Sequence, residues 1–271
     1  MSKTELTTEQ KIDSIILNNT KDFEINVANI LSKRDWVVEP SKFYADLLTK
    51  KSREIDIVAS KEFRVRCEDG NSDYFTIRLF IETKSYIPPS VLWFNGVVEE
   101  ILLRLIGDNN IFRGGVYLGE VNNSQYVHHY INNDYNIVNR WQCDKNWGDV
   151  IFDAWNQCLN AFIFFQSHNK PKGKFIDFPL VVANFSDNIF GSDKKKVSES
   201  FQLGVDYSYS TNENKKESKY FLIDWIDVNF LDDFLCYIEN NDAPIFKDKL
   251  WELSMRSHSS AKSRNIPTRY I

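Results

Sequence analysis

The apolar positions of this chain change period several times, and the changes trace an order of helix, then three strands, in the first third. Thr7-Thr8-Glu9-Gln10, followed by Ile12, Ile15, Ile16 and Leu17, predicts a capped amphipathic helix ending near Asn18-Asn19. Thr20 caps a second helix, with Phe23, Val27, Ile30 and Leu31 as its core stripe. Trp36-Val37-Val38 predicts a short strand, and the polar residues 39–52, with Pro40 near their start, a connection carrying a helical turn around 44–48. Arg53-Glu54-Ile55-Asp56-Ile57-Val58-Ala59 predicts a buried strand that runs into the alternating Glu62-Phe63-Arg64-Val65-Arg66-Cys67. Glu68-Asp69-Gly70-Asn71 is a turn, and residues 74–84 return as the next strand of an antiparallel meander.

Beyond the meander, Pro88-Pro89 stops the strand and Ser90 caps a long helix over Val91, Phe94, Val97, Val98, Ile101, Leu102 and Leu105, closed by Gly107. Gly114-Gly115-Val116-Tyr117-Leu118-Gly119 predicts a strand added parallel to the same sheet. Residues 122–147, rich in Asn, Tyr and Trp, show no clear period. A helix over 147–165 follows, with Val150, Ile151, Ala154, Trp155 and Leu159 on one side. Strands are expected at 178–183, 201–209 and 220–225, a charged turn at 211–218, and helices at 229–238 and 243–255. No repeat and no linker divides the chain. The reading is a core over 1–120 and an extension over 121–271 packed on it, within one domain.

With 271 residues, 42% of them hydrophobic, the chain can build a substantial core and is not a disordered polymer. The net charge of −5 argues against a globally basic nucleic-acid binder, although phosphate responds to the local field of a groove. Cys67, Cys143, Cys158 and Cys236 are scattered without zinc spacing, and read as reduced, mostly buried thiols. No apolar run approaches the roughly 20 residues that span a bilayer, and the first residues lack the apolar core of a signal peptide. The expectation is a soluble cytoplasmic protein without a membrane partner.

The candidate chemistry lies in the meander. Asp56 stands inside an apolar strand, Glu82 follows Leu79-Phe80-Ile81, and Lys84 lies two residues on. Residues two apart on a strand point the same way, so Glu82 and Lys84 share a face that Asp56 joins if the strands pair. Unpaired charges on buried strands are costly. Two hard oxygen ligands beside an ammonium suit Mg²⁺ and a phosphodiester; the same three groups could also form a structural ion pair. Elsewhere, His128-His129 has no third ligand spaced for zinc, and Gly114-Gly115 reads as a strand-entry turn. Lys194-Lys195-Lys196 reads as a solvated loop within reach of a nucleic-acid backbone. The tail after Trp251, with Arg256, His258, Lys262, Arg264 and Arg269 against Glu252, suits phosphate contact or a solubilising role. Trp93 and Tyr86 flank the proposed site as core aromatics or as stacking partners for an extruded base.

The order helix, strand, strand with Asp, strand with Glu-x-Lys, helix, strand resembles the PD-(D/E)xK nuclease superfamily, and within it the Mrr-type branch. The resemblance covers about 21–118 and rests on Phe23-Glu24-Ile25-Asn26-Val27-Ala28, on Ile55-Asp56-Ile57 and on Glu82-Thr83-Lys84. Ile55 stands where the family often has proline. The resemblance implies an α/β fold of restriction-endonuclease-like type, a mixed central sheet flanked by helices with a C-terminal α/β elaboration. It implies that Asp56 and Glu82 hold Mg²⁺, with Mn²⁺ able to substitute. Lys84 would be the catalytic lysine, and Glu24 an acid that binds the metal directly or through water. The implied activity is Mg²⁺-dependent cleavage of DNA by an effector of prokaryotic defence against phage or foreign DNA, acting as a homodimer or beside a motor or sensor subunit. Two other readings share these residues: a catalytically silent scaffold of the same fold, and a nucleotide-activated RNA nuclease.

Overall fold

A computed structural model describes residues 20–46, 49–66, 72–96, 112–113, 136–144, 148–168, 174–185, 187–210, 216–244 and 246–247. Helix α1 (Thr20–Lys33) buries Val27 and Leu31, with Phe23 and Ile30 packed at the margin of the same core. It leads into strands β1 (Val37–Ala45), β2 (Ser52–Arg66) and β3 (Ser72–Lys84). β4 (Ser90–Gly96), β5 (Phe112–Arg113) and β6 (Asn136–Cys143) precede helix α2 (Val150–His168). β7 (Lys174–Ala183), β8 (Ile189–Gly191), β9 (Ser200–Ser210) and β10 (Lys216–Asp227) follow. After a 3₁₀ turn, helix α3 (Leu231–Tyr237) runs into a π-helical turn (Ile238–Asp242).

The fold is α/β, with one large mixed sheet flanked by few helices. Among the described residues the strand order is β1-β2-β3-β7-β10-β9-β6-β4-β8, with β5 paired to β7. β1, β2 and β3 form the antiparallel meander. β7 then lies parallel to β3 on one side and to β10 on the other. Phe178, Leu180, Val181, Val182 and Ala183 are all buried, the near-continuous apolar run of a strand covered on both faces. Helix α2 covers one face through Ile151, Ala154, Trp155, Cys158, Leu159 and Phe162. Helices α1 and α3 cover the other, with Val27, Leu31, Leu231 and Leu235 against Ile57, Ile81, Leu180 and Val182. Glu239 locks α1 to this face: it accepts from Trp36 Nε1 at 2.8 Å and Arg34 Nη2 at 3.3 Å, and Lys61 Nζ lies 3.1 Å away.

Several expectations change. Residues 39–45 are strand and not connection, because β1 occupies a sheet edge where Pro40 loses no ladder bond and polar side chains face outward. Residues 90–96 form β4 and not the start of a helix. Leu92 is buried while Val91 is exposed, an alternation that serves pairing with β6 and β8, and the Ser90 hydroxyl donates to the Pro88 carbonyl. So short an apolar run is ambiguous between the two periods. Among the described residues, the helix and parallel strand that follow the meander are α2 and β7. Helix 229–238 is divided into 3₁₀, α and π segments. Of the described cysteines only Cys158 is fully buried; Cys143 and Cys236 are half-buried, and all three are free thiols. The expected helix at 7–17, the part of the expected helix 90–107 beyond Gly96, the turn at 68–71, strand 114–119, His128-His129 and the basic tail lie outside the described residues. No helix among the described residues is long and apolar enough to cross a membrane.

Register opposes Arg78 of β3 to Asp177 of β7, and the guanidinium makes two 2.7 Å bonds to that fully buried carboxylate. The Phe80 and Phe175 rings lie 5.3 and 4.6 Å from the guanidinium carbon. Removing one partner leaves the other charge buried alone. Asp177→Ala is expected to cost about 3–5 kcal/mol in urea unfolding, whereas Arg78→Met with Asp177→Leu costs less than the single change. Equal stability of Asp177→Ala and wild type would mean that the pair contributes nothing.

Candidate active site

The β2–β3 ladder stops at Ile57 and Ile81, and the next residue on each strand is an acid, Asp56 and Glu82. Asp56 Oδ2 accepts from the Thr83 backbone amide at 2.7 Å and from the Thr83 hydroxyl at 2.8 Å. A side-chain carboxylate thus takes a position where a backbone acceptor would continue the ladder. On the other flank, Ser41 of β1 lies between the partners of Ile55 and Ile57 with φ of 54°, in the left-handed region. The meander is therefore irregular on both sides of Asp56, and that irregularity holds the carboxylate in place.

Glu82 lies deeper. It is 1% exposed, one carboxylate oxygen accepts from Lys84 Nζ at 2.6 Å, and the other, Oε2, has no hydrogen-bond partner. Burial, followed by repulsion from Asp56, pushes its carboxyl up to about 8; Lys84 opposes this and Glu24 adds to it. The same field is felt around it. Burial first and then the Glu82 charge push up both the Tyr44 hydroxyl of β1 and the Cys158 thiol of α2. That thiol donates to the Phe80 carbonyl at 3.3 Å.

Helix α1 closes the cluster. Lys21 Nζ is 2.8 Å from Glu24 and 3.9 Å from Glu54, and it responds electrostatically to Asp56. Asp56, Glu82, Lys84 and Glu24 thus come together, with Lys21 added. The side chains open from Glu82 at 2% through Glu24 at 14% and Lys84 at 24% to Lys21 at 60%, so the group has a route to solvent. Tyr86, two residues beyond Lys84, is exposed. Trp93 does not flank the site, because four strands stand between β3 and β4 in the sheet. Lys196 of the basic loop pairs with Asp187 and Lys195 with Asp193.

Among the described residues no three His, Cys, Asp or Glu side chains form a ready metal cage. A divalent cation would rest on two carboxylates, which is within the habit of Mg²⁺, since it keeps most of its waters. The orphaned, buried Glu82 Oε2 beside a second carboxylate fits that use: a cation there would supply the missing partner and cancel the repulsion. Sequence reasoning missed Lys21 and Thr83. Lys21 stands one helical turn before Glu24, and Thr83 alternates between Glu82 and Lys84 on its strand; both signals are visible only once the acids are suspected. No family model, curated protein or solved structure matches this chain.

Glu82 keeps its proton in the folded state up to about 8 but releases it near 4.5 when unfolded. Between those values the folded state binds more protons, so stability falls as pH rises. Metal-free wild type should lose stability relative to Glu82→Gln across pH 4.5–8, measured as the difference in denaturation midpoints. A difference that stays flat with pH would contradict a buried, strained carboxylate.

Proposed function

We propose that this protein is a metal-dependent nuclease of the restriction-endonuclease-like type that hydrolyses phosphodiester bonds of DNA. The observation that carries the reading is the meeting of Asp56, Glu82, Lys84 and Glu24 at one end of β2 and β3, with a buried Glu82 oxygen left unpartnered. The order α1-β1-β2-β3-α2-β7, with β7 parallel beside β3, supports it, because it has the sequence of elements that the resemblance to PD-(D/E)xK nucleases implies. In that reading the segment holding β4 to β6 is an insertion between the meander and α2. The resemblance further points to an effector of prokaryotic defence, working as a homodimer or beside a separate motor or sensor subunit.

Asp56 Oδ1 and Glu82 Oε2 would hold Mg²⁺ or Mn²⁺, while Thr83 fixes Asp56 through its other oxygen. When bound, the cation supplies Lewis acidity toward the phosphate and lowers the pKa of an attacking water. Lys84, tethered to Glu82 at 2.6 Å, neutralises charge on the phosphate and orients that water. Glu24, on the solvent side, would accept hydrogen bonds from water at the site. Lys21 brings a second cation toward the approaching backbone.

Supercoiled plasmid and structured RNA incubated with Mg²⁺, Mn²⁺ or EDTA test the activity and the choice of nucleic acid. Asp56→Ala and Lys84→Ala should each lower metal-dependent cutting by about a hundredfold or more and leave the circular dichroism unchanged. Cutting that survives both changes would sink the assignment. A second readout does not depend on turnover: Mn²⁺ should raise the melting temperature of wild type but not of a variant carrying both Asp56→Asn and Glu82→Gln.

A further inference from the structure

The far end of the sheet carries a surface that the proposed site does not use. β4 pairs with β6 on one side and with β8 on the other, and the register aligns their outward side chains. Val91 stands opposite Phe190 of β8 and Gln142 of β6, Trp93 stands opposite Arg140, and Phe190 bridges on its outer side to Lys196. Partners in register share a face. Lys196, Phe190, Val91 and Gln142 therefore form one row across the sheet, with Trp93 and Arg140 in the next. The alternate residues Leu92 and Ile189 point the other way, into the core on the α2 side. This row occupies the face that α1 and α3 cover elsewhere, yet here Phe190 is 37% and Val91 36% exposed.

The chemistry of the row is specific. Two aromatic rings, the exposed Phe190 and the half-buried Trp93, lie on this sheet face, and each has a cation beside it. The Arg140 guanidinium carbon lies 5.2 Å from the centre of the Trp93 ring, and Lys196 flanks Phe190 with Lys194 and Lys195 in the same turn. Asp187 and Asp193 pair with Lys196 and Lys195, so an incoming anion would exchange with exposed carboxylates, a change worth little in water. Against a chain of net charge −5, a local concentration of cations around aromatic rings on a sheet is complementary to a polyanion with flat bases. In a duplex the base faces are stacked and closed to such rings; in a single strand they are open.

The geometry points to a binding platform for single-stranded nucleic acid, in which bases stack on Trp93 and Phe190 while Arg140 and Lys196 meet the phosphates. Because it names the form of the substrate, this rests on the nuclease reading, although binding and cutting are separable. The two regions are linked along the chain. Asn184 donates to the Lys84 carbonyl at 3.0 Å, and six residues later the chain reaches Phe190. A strand held on the platform is thereby tied, through one short segment, to the end of the sheet where Lys84 lies.

The test is fluorescence anisotropy of the full chain in EDTA, where metal-dependent cutting is silent. The probes are labelled oligothymidine and oligouridine of about 16 nucleotides, within the usual range of strand sites, and a duplex of equal length. Wild type should bind the strands more tightly than the duplex, with affinity falling as salt rises; the two strands tell DNA from RNA. Arg140→Glu, Lys196→Glu and the pair Trp93→Ala with Phe190→Ala should each weaken strand binding about tenfold or more. The two charge changes lie on exposed side chains, so their unfolding midpoints should match wild type and separate lost binding from lost folding. The proposal is overturned if neither strand binds, which would leave the face to a protein partner. It is also overturned if the duplex binds as tightly as the strands, or if the folded charge variants bind as wild type does. Strand binding that maps to these residues, in a protein that cuts nothing with Mg²⁺ or Mn²⁺, upholds the platform and removes the nuclease reading.

Discussion

The parallel docking of β7 against β3 is the constraint on which the rest depends. Ten residue pairs, from Phe75 with Lys174 to Lys84 with Ala183, join two segments that lie almost a hundred residues apart in the chain. Closing so long a loop is entropically unfavourable, but the cost rises only slowly with length. The apolar faces of both strands offset it, since every β7 residue from Phe178 to Ala183 is buried. Arg78 and Asp177 add little net stability as a buried pair, but they punish any other register. Shifting β7 by two residues would keep its faces and strand both charges. The ion pair thus specifies the alignment that apolar burial alone leaves degenerate.

That alignment sets the position of the acids. The ends of β3 and β7 fall together at Lys84 and Ala183, and Asn184 caps the ladder by donating to the Lys84 carbonyl. Asp227, at the end of β10, accepts from the Phe185 amide at 2.8 Å and holds the exit of β7 in turn. Glu82 is two residues short of this boundary, so it is buried while Lys84 still reaches solvent. Two carboxylates held this close, one with an unpartnered oxygen, store an unfavourable field. A protein under selection for stability alone would replace Glu82 with an apolar residue. A cation completing the site would relieve that field.

Much of this was legible in the sequence, and the reason is local. Asp56 within Ile55 and Ile57, and Glu82 after Ile81, break an apolar pattern in a way that charge burial makes expensive, so they stood out without coordinates. The stripe of Val27 and Leu31 placed α1, and the apolar run of Phe178 to Ala183 placed β7. What failed was non-local. Residues 90–96 satisfy a helical period as well as a strand period, and only the pairing of β4 with β6 and β8 decides between them. Residues 39–45 looked like a connection because an edge strand tolerates Pro40 and polar side chains that a central strand rejects. Trp93 was misplaced for the same reason: seven residues after Tyr86 in sequence, it lies across four strands of the sheet. The alignment of Phe190 with Lys196 and of Trp93 with Arg140 exists only through strand pairing, and no motif scan could have found it.

An acidic chain with acids at its proposed centre faces a difficulty with a polyanion, and the arrangement of its cations answers it. On the proposed reading, Asp56 and Glu24 would repel phosphate until a divalent ion reversed the local sign. Binding and chemistry would then be coupled by charge, the metal-free site favouring release. Lys21 and Lys84 are each paired with a member of the acid group, so in the absence of metal they neutralise carboxylates and are not free to hold phosphate. On the same reading, a cation held by the same carboxylates would compete for those oxygens and leave both ammonium groups available to phosphate. At the other end of the sheet the cations lie beside aromatic rings, and the carboxylates there, Asp187 and Asp193, are exposed. On the proposed reading, the affinity of that platform would be independent of the metal.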